Sequence, residues 1–311
     1  MAGSTSHDSV FFTCVSAVGQ LERARLLMEA VKEFGGPMAG RPFWVVEADR
    51  ERVPCAGLAK AGARLLNLNV PEDIGGYLFA TKVSACARAE AEASASGVRS
   101  LVWVIPESIV LKPPVLFELS GPLRAAVRPV HIQNVGSPVS EQPDAFWSGV
   151  YRVAGEPPAG AAVESFIEGR AIRPYFNSAA MSVDPGAGLF TAWLDRFKAA
   201  VADRDFQERA CSDQMHRIFL HQALLSALVS SRLAEDELRV LPPDYGYPYN
   251  LHGEVPVERR AERLDDIVCA IYEERSLDPD VATDIGMSAA LGSWLAARRG
   301  AGRGGEGPER T

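Results

Sequence analysis

Between Val10 and Leu111 short uncharged runs of β-branched and aromatic residues alternate with segments of helical period, and few architectures accommodate that alternation. Val10 to Val15 (VFFTCV) is the first run, with the texture of a strand covered on both faces, and Leu21 to Phe34 follows with helical spacing. Arg41-Pro42 introduces a second strand, Phe43 to Val46; a helical stretch to Ala61 and a third strand, Arg64 to Leu68, come next. The alanine-rich Ala80 to Ala95 has high helix propensity and ends near Gly97, ahead of Ser100 to Ile105 (SLVWVI), the most apolar strand of this half. Helices inserted between successive strands make each connection a crossover, and crossovers produce a parallel sheet.

Pro106-Glu107-Ser108 interrupts the apolar run before Ile109-Val110-Leu111 resumes it, and Lys112-Pro113-Pro114 stops it again. A polar break at the end of a central parallel strand lies where open α/β sheets place their ligands. Beyond Ala125 the predicted strands are shorter: Ala126 to Ile132, Ala162 to Ile167 and Ala179 to Val183, with a helix over Phe146 to Val153. Helices return at Gly188 to Ala200 and Gln214 to Val229. The first of these puts Leu189, Phe190, Trp193, Leu194 and Phe197 on one stripe, which makes Trp193 a core anchor. Arg239 to Leu241, Tyr245 to Tyr249, Ile267 to Tyr272 and a helix ending near Arg299 complete the pattern. With no internal repeat and no long linker, the reading is one α/β domain over residues 10–299. Residues 10–125 form one half and 126–299 an elaborated mixed half, between disordered termini at 1–9 and 300–311.

Charge and cysteine usage narrow the partners. Thirty-two Lys+Arg against 40 Asp+Glu give a net charge of -8, so no global basic field attracts nucleic acid or an anionic membrane. No stretch approaches the roughly 20 apolar residues of a membrane span. The five cysteines (Cys14, Cys55, Cys86, Cys211, Cys269) include no CxxC or CxxH pair and read as reduced thiols of a cytoplasmic protein. No GxGxxG follows the first strand, and GxxxxGK[ST], GxSxG and HExxH are all absent.

A set of segments remains in fixed order: FFTCVSA on the first strand, Lys82 in the helix before VWVIPESIVLKPP, then YFNSAAMSV, HQALLSAL and LPPDYGYPYNLH. Over Val10 to Tyr272 this order resembles the nucleotide-diphospho-sugar transferases of the GT-A fold, most nearly the glycogenin-type, family 8 group. The resemblance implies a GT-A-like domain with a mostly parallel central sheet. It also implies a glycosyltransferase that moves a sugar from a nucleotide-diphosphate sugar donor to an unknown acceptor. The alternative is a non-catalytic sugar-nucleotide-binding or scaffold protein derived from such an enzyme.

The resemblance also distributes roles among residues. Thr13, Cys14 and Ser16 fall where the family contacts uracil and ribose, although Thr and Ser on a buried strand also bond neighbouring backbone. Lys82 corresponds to a lysine on the diphosphate, a task suited to a point charge. Asn177 and Ser178 match the family's FN[AS]G turn, with Ala179 in place of the glycine. Ile105 and Glu107 stand at the two Asp positions of the metal-binding DxD motif, and Ile267 to Ile271 lacks the late histidine that completes that site. The expectation is no required cofactor, or a divalent cation (Mn or Mg) only if Glu107 finds further ligands. Of two candidates for the family's DQ pair, His221-Gln222 is preferred to Asp213-Gln214, because Tyr249-Asn250 lies closer and Ala223-Leu224-Leu225 continues directly after it. His221 would orient an acceptor or act as base, while Asp213 suits a helix cap. His131, at the polar end of the strand that Arg128 belongs to, would wall the sugar site. Phe146 reads as packing, and Trp147, Tyr245, Tyr247 and Tyr249 as either packing or cleft lining.

Overall fold

The computed structural model describes residues 8–155, 161–272 and 285–302. The first half builds β1 (Ser9–Val15), α1 (Gln20–Phe34), β2 (Phe43–Glu47), α2 (Ala56–Lys60), β3 (Arg64–Asn67), α3 (Ala80–Ala95) and β4 (Ser100–Val104). These strands lie in the order β3-β2-β1-β4, all parallel, with Phe11 opposite both Phe43 and Val102. Every residue of β1, β2 and β4 is buried, because helices cover both faces of the sheet. Phe11 and Val15 pack with Leu27, Met28 and Val31 of α1, while Phe12 and Cys14 face Ala85, Cys86 and Ala89 of α3.

The chain continues through β5 (Ser108–Val110), β6 (Ala125–Pro129), α4 (Ala145–Ala154), β7 (Val163–Glu164), β8 (Ala171–Ile172) and β9 (Phe176–Val183). Then follow α5 (Leu189–Ala202), α6 (Arg204–Ala210), α7 (Gln214–Arg232), β10 (Leu238–Val240), β11 (Tyr245–Pro248), β12 (Cys269–Ile271) and α8 (Ala289–Gly302). β9, β6 and β10 extend the central sheet beyond β4 to seven strands. β9 runs antiparallel to both neighbours, so its first residues meet the last residues of β4 and β6 at one edge. β4 and β5 are consecutive in the chain but belong to different sheets: after the Pro106 break, β5 pairs antiparallel with β12 in a three-stranded sheet with β11.

Two buried groups tie the helical layer to the sheet. Gly188 at the N-cap of α5 supplies no side chain; Glu90 of α3 accepts instead from the backbone nitrogens of Phe190 at 2.9 Å and Thr191 at 2.7 Å. Trp193, fully buried, donates its indole N–H to the carbonyl of His221 at 2.7 Å, in the core role expected of it. Trp147 is likewise fully buried and donates to the Val135 carbonyl, and Phe146 packs beside it. Tyr245, Tyr247 and Tyr249 are buried as well and do not line the cleft described below.

Several boundaries differ from the sequence reading. β6 stops at Pro129, not Ile132, because the Val130 and His131 carbonyls accept from Phe166 and Ile167, away from the main sheet. The strand expected over Ala162 to Ile167 is reduced to β7, in a hairpin with the unforeseen β8. β9 begins at Phe176, so Asn177 and Ser178 are strand residues and not a turn. The short helix α6 was not foreseen; Asp203 caps it, accepting from Phe206 N at 3.0 Å. Ser9 joins β1 although residues 1–9 read as disordered, and α8 runs to Gly302, past the expected end near Arg299. The rest of the expected tail, 303–311, lies outside the described residues. Gly97, at φ +69°, closes α3 as its position predicts.

Candidate functional site

A cleft of about 800 Å³ opens where the C-terminal ends of β1 and β4 meet the start of β9, the point at which strand order and direction change. The loop after β1 and the first turn of α1 contribute Ser16, Gln20 and Arg23, and the β4–β5 bend contributes Ile105 and Glu107. Lys82 reaches in from α3, His131 from beyond β6, Asn177 and Ser178 from β9, and His221 and Gln222 from α7. Cys14 lines it too, so of the preferred sequence candidates only Thr13 lies outside the cleft; the alternative pair Asp213-Gln214 is also outside it, with Asp213 capping α7. The period-two alternation of β1 puts Thr13 on the face opposite Cys14, and its buried hydroxyl has no hydrogen-bond partner among the described residues.

A polar chain crosses the floor of the cleft. Lys82 Nζ donates to Ser178 Oγ at 2.8 Å, and Ser178 Oγ lies 3.0 Å from His221 Nε2 and 3.3 Å from Gln222 Oε1. His221 Nδ1 lies 2.8 Å from the Ile218 carbonyl, an acceptor, so the ring proton sits on Nδ1 and Nε2 accepts from the serine. Burial first, then the charge on Lys82, holds the His221 pKa well below its ordinary value. A neutral imidazole with both nitrogens engaged positions its neighbours; these bonds leave it no site for a substrate proton. Gln222 Oε1 also accepts from Ser178 N at 3.3 Å.

His131 is neutral for similar reasons. Burial, then Arg128, lowers its pKa well below the usual value, and Arg128 Nη1 contacts Nδ1. A guanidinium can only donate, so the His131 proton resides on Nε2. Asn177 Oδ1 accepts from Ala179 N at 2.7 Å, which leaves the amide NH2 as the group it can offer a ligand. Burial, followed by Cys55 and Glu107, pushes the Cys14 thiol up to about 12, so it remains protonated.

Three residues missed in the sequence reading belong to the site. Phe79 precedes α3 with a left-handed backbone, φ 65°, at a cost of about 1–2 kcal/mol for a side chain of this kind. Its ring stacks on His221 with centroids 4.1 Å apart and lies 5.7 Å from Lys82 Nζ. Gln20 Nε2 and Arg23 Nη1 both reach Glu107 Oε1, at 3.0 and 3.2 Å. The sequence reading did not single these last two out; only the β4–β5 bend brings a carboxylate against them.

The divalent ion that the DxD resemblance implies does not fit these residues. Among the described residues Glu107 is the only carboxylate lining the cleft, and it already accepts from two donors, while Ile105 offers no ligand atom. The segment lacking the late histidine is β12, whose Ile271 faces the cleft as a hydrocarbon. Among the described residues no group of three or more His, Cys, Asp or Glu is placed to hold a metal. The described cysteines are all free and buried, and no described helix is long and apolar enough to cross a membrane.

No family model matches the chain, and no curated protein matches it in sequence. Solved structures do. An active-site glutamine-to-glutamate mutant of LgtC aligns over 97% of this chain and 98% of its own, with a TM-score of 0.52 and 13% identity. The galactosyltransferase LgtC in complex with donor and acceptor sugar analogues aligns over the same shares at TM-score 0.48 and 14% identity. Mouse xyloside xylosyltransferase 1, in its apo form, matches over 85% of this chain and 97% of its own, at TM-score 0.47 and 14% identity. At such identities the likeness is one of fold, and the fold is GT-A: a mixed α/β chain wound on a mostly parallel central sheet.

Proposed function

On a GT-A fold whose cleft opens at the sheet's switch point, we propose that this protein is a glycosyltransferase moving a sugar from a nucleoside-diphosphate sugar to an acceptor. The observation that carries the reading is the Lys82–Ser178–His221 chain, which holds a cationic amine at a fixed place in a cleft framed by β1, β4 and β9. Catalysis in this class consists of positioning the two reactants and stabilising the departing diphosphate. Lys82, a point charge with three donors, serves the diphosphate. The Asn177 amide and the His131 Nε2–H serve sugar hydroxyls, and Ser178, His221 and Gln222 keep Lys82 aimed. A glutamine is an active-site residue of LgtC, and Gln222 is the glutamine that α7 supplies to this cleft.

A thermal-shift screen of nucleotides and nucleotide sugars, with manganese and with chelator, tests the proposal without knowledge of the acceptor. Ligand at about 100 times its Kd stabilises the folded state by about 2.7 kcal/mol. At least one nucleotide sugar should raise Tm in chelator, and Lys82→Ala should diminish that rise more than it lowers the Tm of the free protein. Absence of a shift with every donor under both conditions would remove the proposal. Ile105 in the place of a metal ligand favours a second reading, a sugar-nucleotide-binding protein without turnover, and a donor that binds but is neither transferred nor hydrolysed would select it.

A further inference from the structure

We infer that Arg23 is a second diphosphate-binding cation of the cleft, beside Lys82, and that Glu107 is the internal anion held by it until a donor arrives. The inference rests on the donor-binding reading above and adds to it a phosphate contact outside the Lys82 chain. Glu107 Oε1 receives a guanidinium N–H from Arg23 at 3.2 Å and an amide N–H from Gln20 at 3.0 Å. One carboxylate oxygen held by these two donors is an anion in a built anion site, and a phosphate oxygen satisfies the same pair.

The site is prepared before any ligand enters. Gln20 Oε1 accepts from the nitrogen and the hydroxyl of Ser16 at 2.9 and 3.1 Å, which turns its NH2 toward Glu107. The Glu107 backbone is pinned to the second sheet, since Tyr272 N donates to its carbonyl at 3.0 Å. The side chains have room to part: that of Arg23 is 42% exposed and that of Glu107 is 15% exposed. Among the described residues the cleft lining holds Arg23, Lys82 and the acid Glu107, with His131 and His221 neutral. The oxygens of an entering diphosphate replace Glu107 on Arg23 and Gln20, and the released carboxylate turns to solvent.

This exchange reverses the sign expected of a metal ligand. Glu107→Gln removes the competing charge, so binding should tighten, whereas loss of a metal ligand weakens binding. The test is isothermal titration of the full chain with UDP, GDP and inorganic pyrophosphate, each in chelator and in manganese, with circular dichroism confirming that every variant is folded. For the probe that binds wild type, Glu107→Gln should tighten Kd about fivefold and Arg23→Ala should weaken it about tenfold. Arg23→Lys should recover part of the loss, since it restores charge without the planar fork. Glu107→Gln weakening Kd together with a manganese requirement would overturn the inference while leaving donor binding intact. Arg23→Ala with unchanged Kd would do the same. If none of the three probes binds wild type, the donor-binding reading falls and this inference with it.

Discussion

Glu90→Gln changes one atom in the most heavily used carboxylate of the helical layer. Glu90 is 2% exposed and accepts three bonds: from Phe190 N at 2.9 Å, Thr191 N at 2.7 Å and Thr191 Oγ1 at 2.7 Å. The first reaches one oxygen and the other two reach the second, so the NH2 of a glutamine must face a backbone N–H whichever way the amide turns. The cheaper orientation faces Phe190 and leaves that one donor unmet, at about 1–3 kcal/mol. At acid pH, where the wild-type carboxyl is itself neutral, the expected outcome is a loss of about 1–3 kcal/mol in urea-unfolding free energy. Burial outweighs the donors and raises the Glu90 pKa above its usual 4.5. A carboxyl with a raised folded-state pKa contributes stability that is fully present below 4.5 and lost as pH climbs through the folded value. Wild type alone carries that decline, so the gap between wild type and variant should narrow from pH 4.5 to pH 8. Urea titrations of both proteins across this range measure it. A gap below 0.5 kcal/mol throughout, or one that widens with pH, would refute the argument.

Two further substitutions probe other joints. Ser178→Ala deletes the hydroxyl shared by Lys82, His221 and Gln222 and should cost about 2–3 kcal/mol in urea, with a changed nitrogen chemical shift at His221 Nε2; an unmoved resonance would show that the hydroxyl does not donate there. Gly149→Ala would raise helix propensity in α4 by about 1 kcal/mol on an open surface, but the added Cβ would stand 2.3 Å from the Phe206 ring, so a net loss of about 1–3 kcal/mol is expected and a gain in Tm would refute the α4–α6 contact.

The parallel half of the sheet was legible because its strands are uninterrupted apolar runs and its helices have ordinary spacing; β1 to β4 appear within a residue or two of their expected bounds. The same uniformity hid which face of β1 meets the cleft. A strand covered on both sides carries no polar alternation, so Thr13 and Cys14 were indistinguishable in sequence although they point opposite ways. The second half was read less well where tertiary bonds override local pattern. The carbonyls of Val130 and His131 are taken by Phe166 and Ile167, thirty-six residues along the chain, which ended β6 early. Of the cleft, the residues visible in advance were those carried by the family resemblance. Arg23 and Gln20 were invisible because a first-turn arginine and glutamine acquire meaning only through a carboxylate 84 and 87 residues away.

The pairing of β5 with β12 has a consequence for the order in which the molecule is made. Ser108 to Val110 find their partners in Cys269 to Ile271, so the β4–β5 bend that carries Glu107 cannot be fixed until β12 has left the ribosome. β1 to β4, by contrast, are complete by Val104 and can pair as they emerge. A nascent chain paused anywhere between these points therefore holds an assembled parallel sheet with an unfinished cleft. If the cleft is the donor site proposed above, a truncation before Cys269 would leave a partial fold whose β5 has lost its partner strand and whose donor site is unfinished.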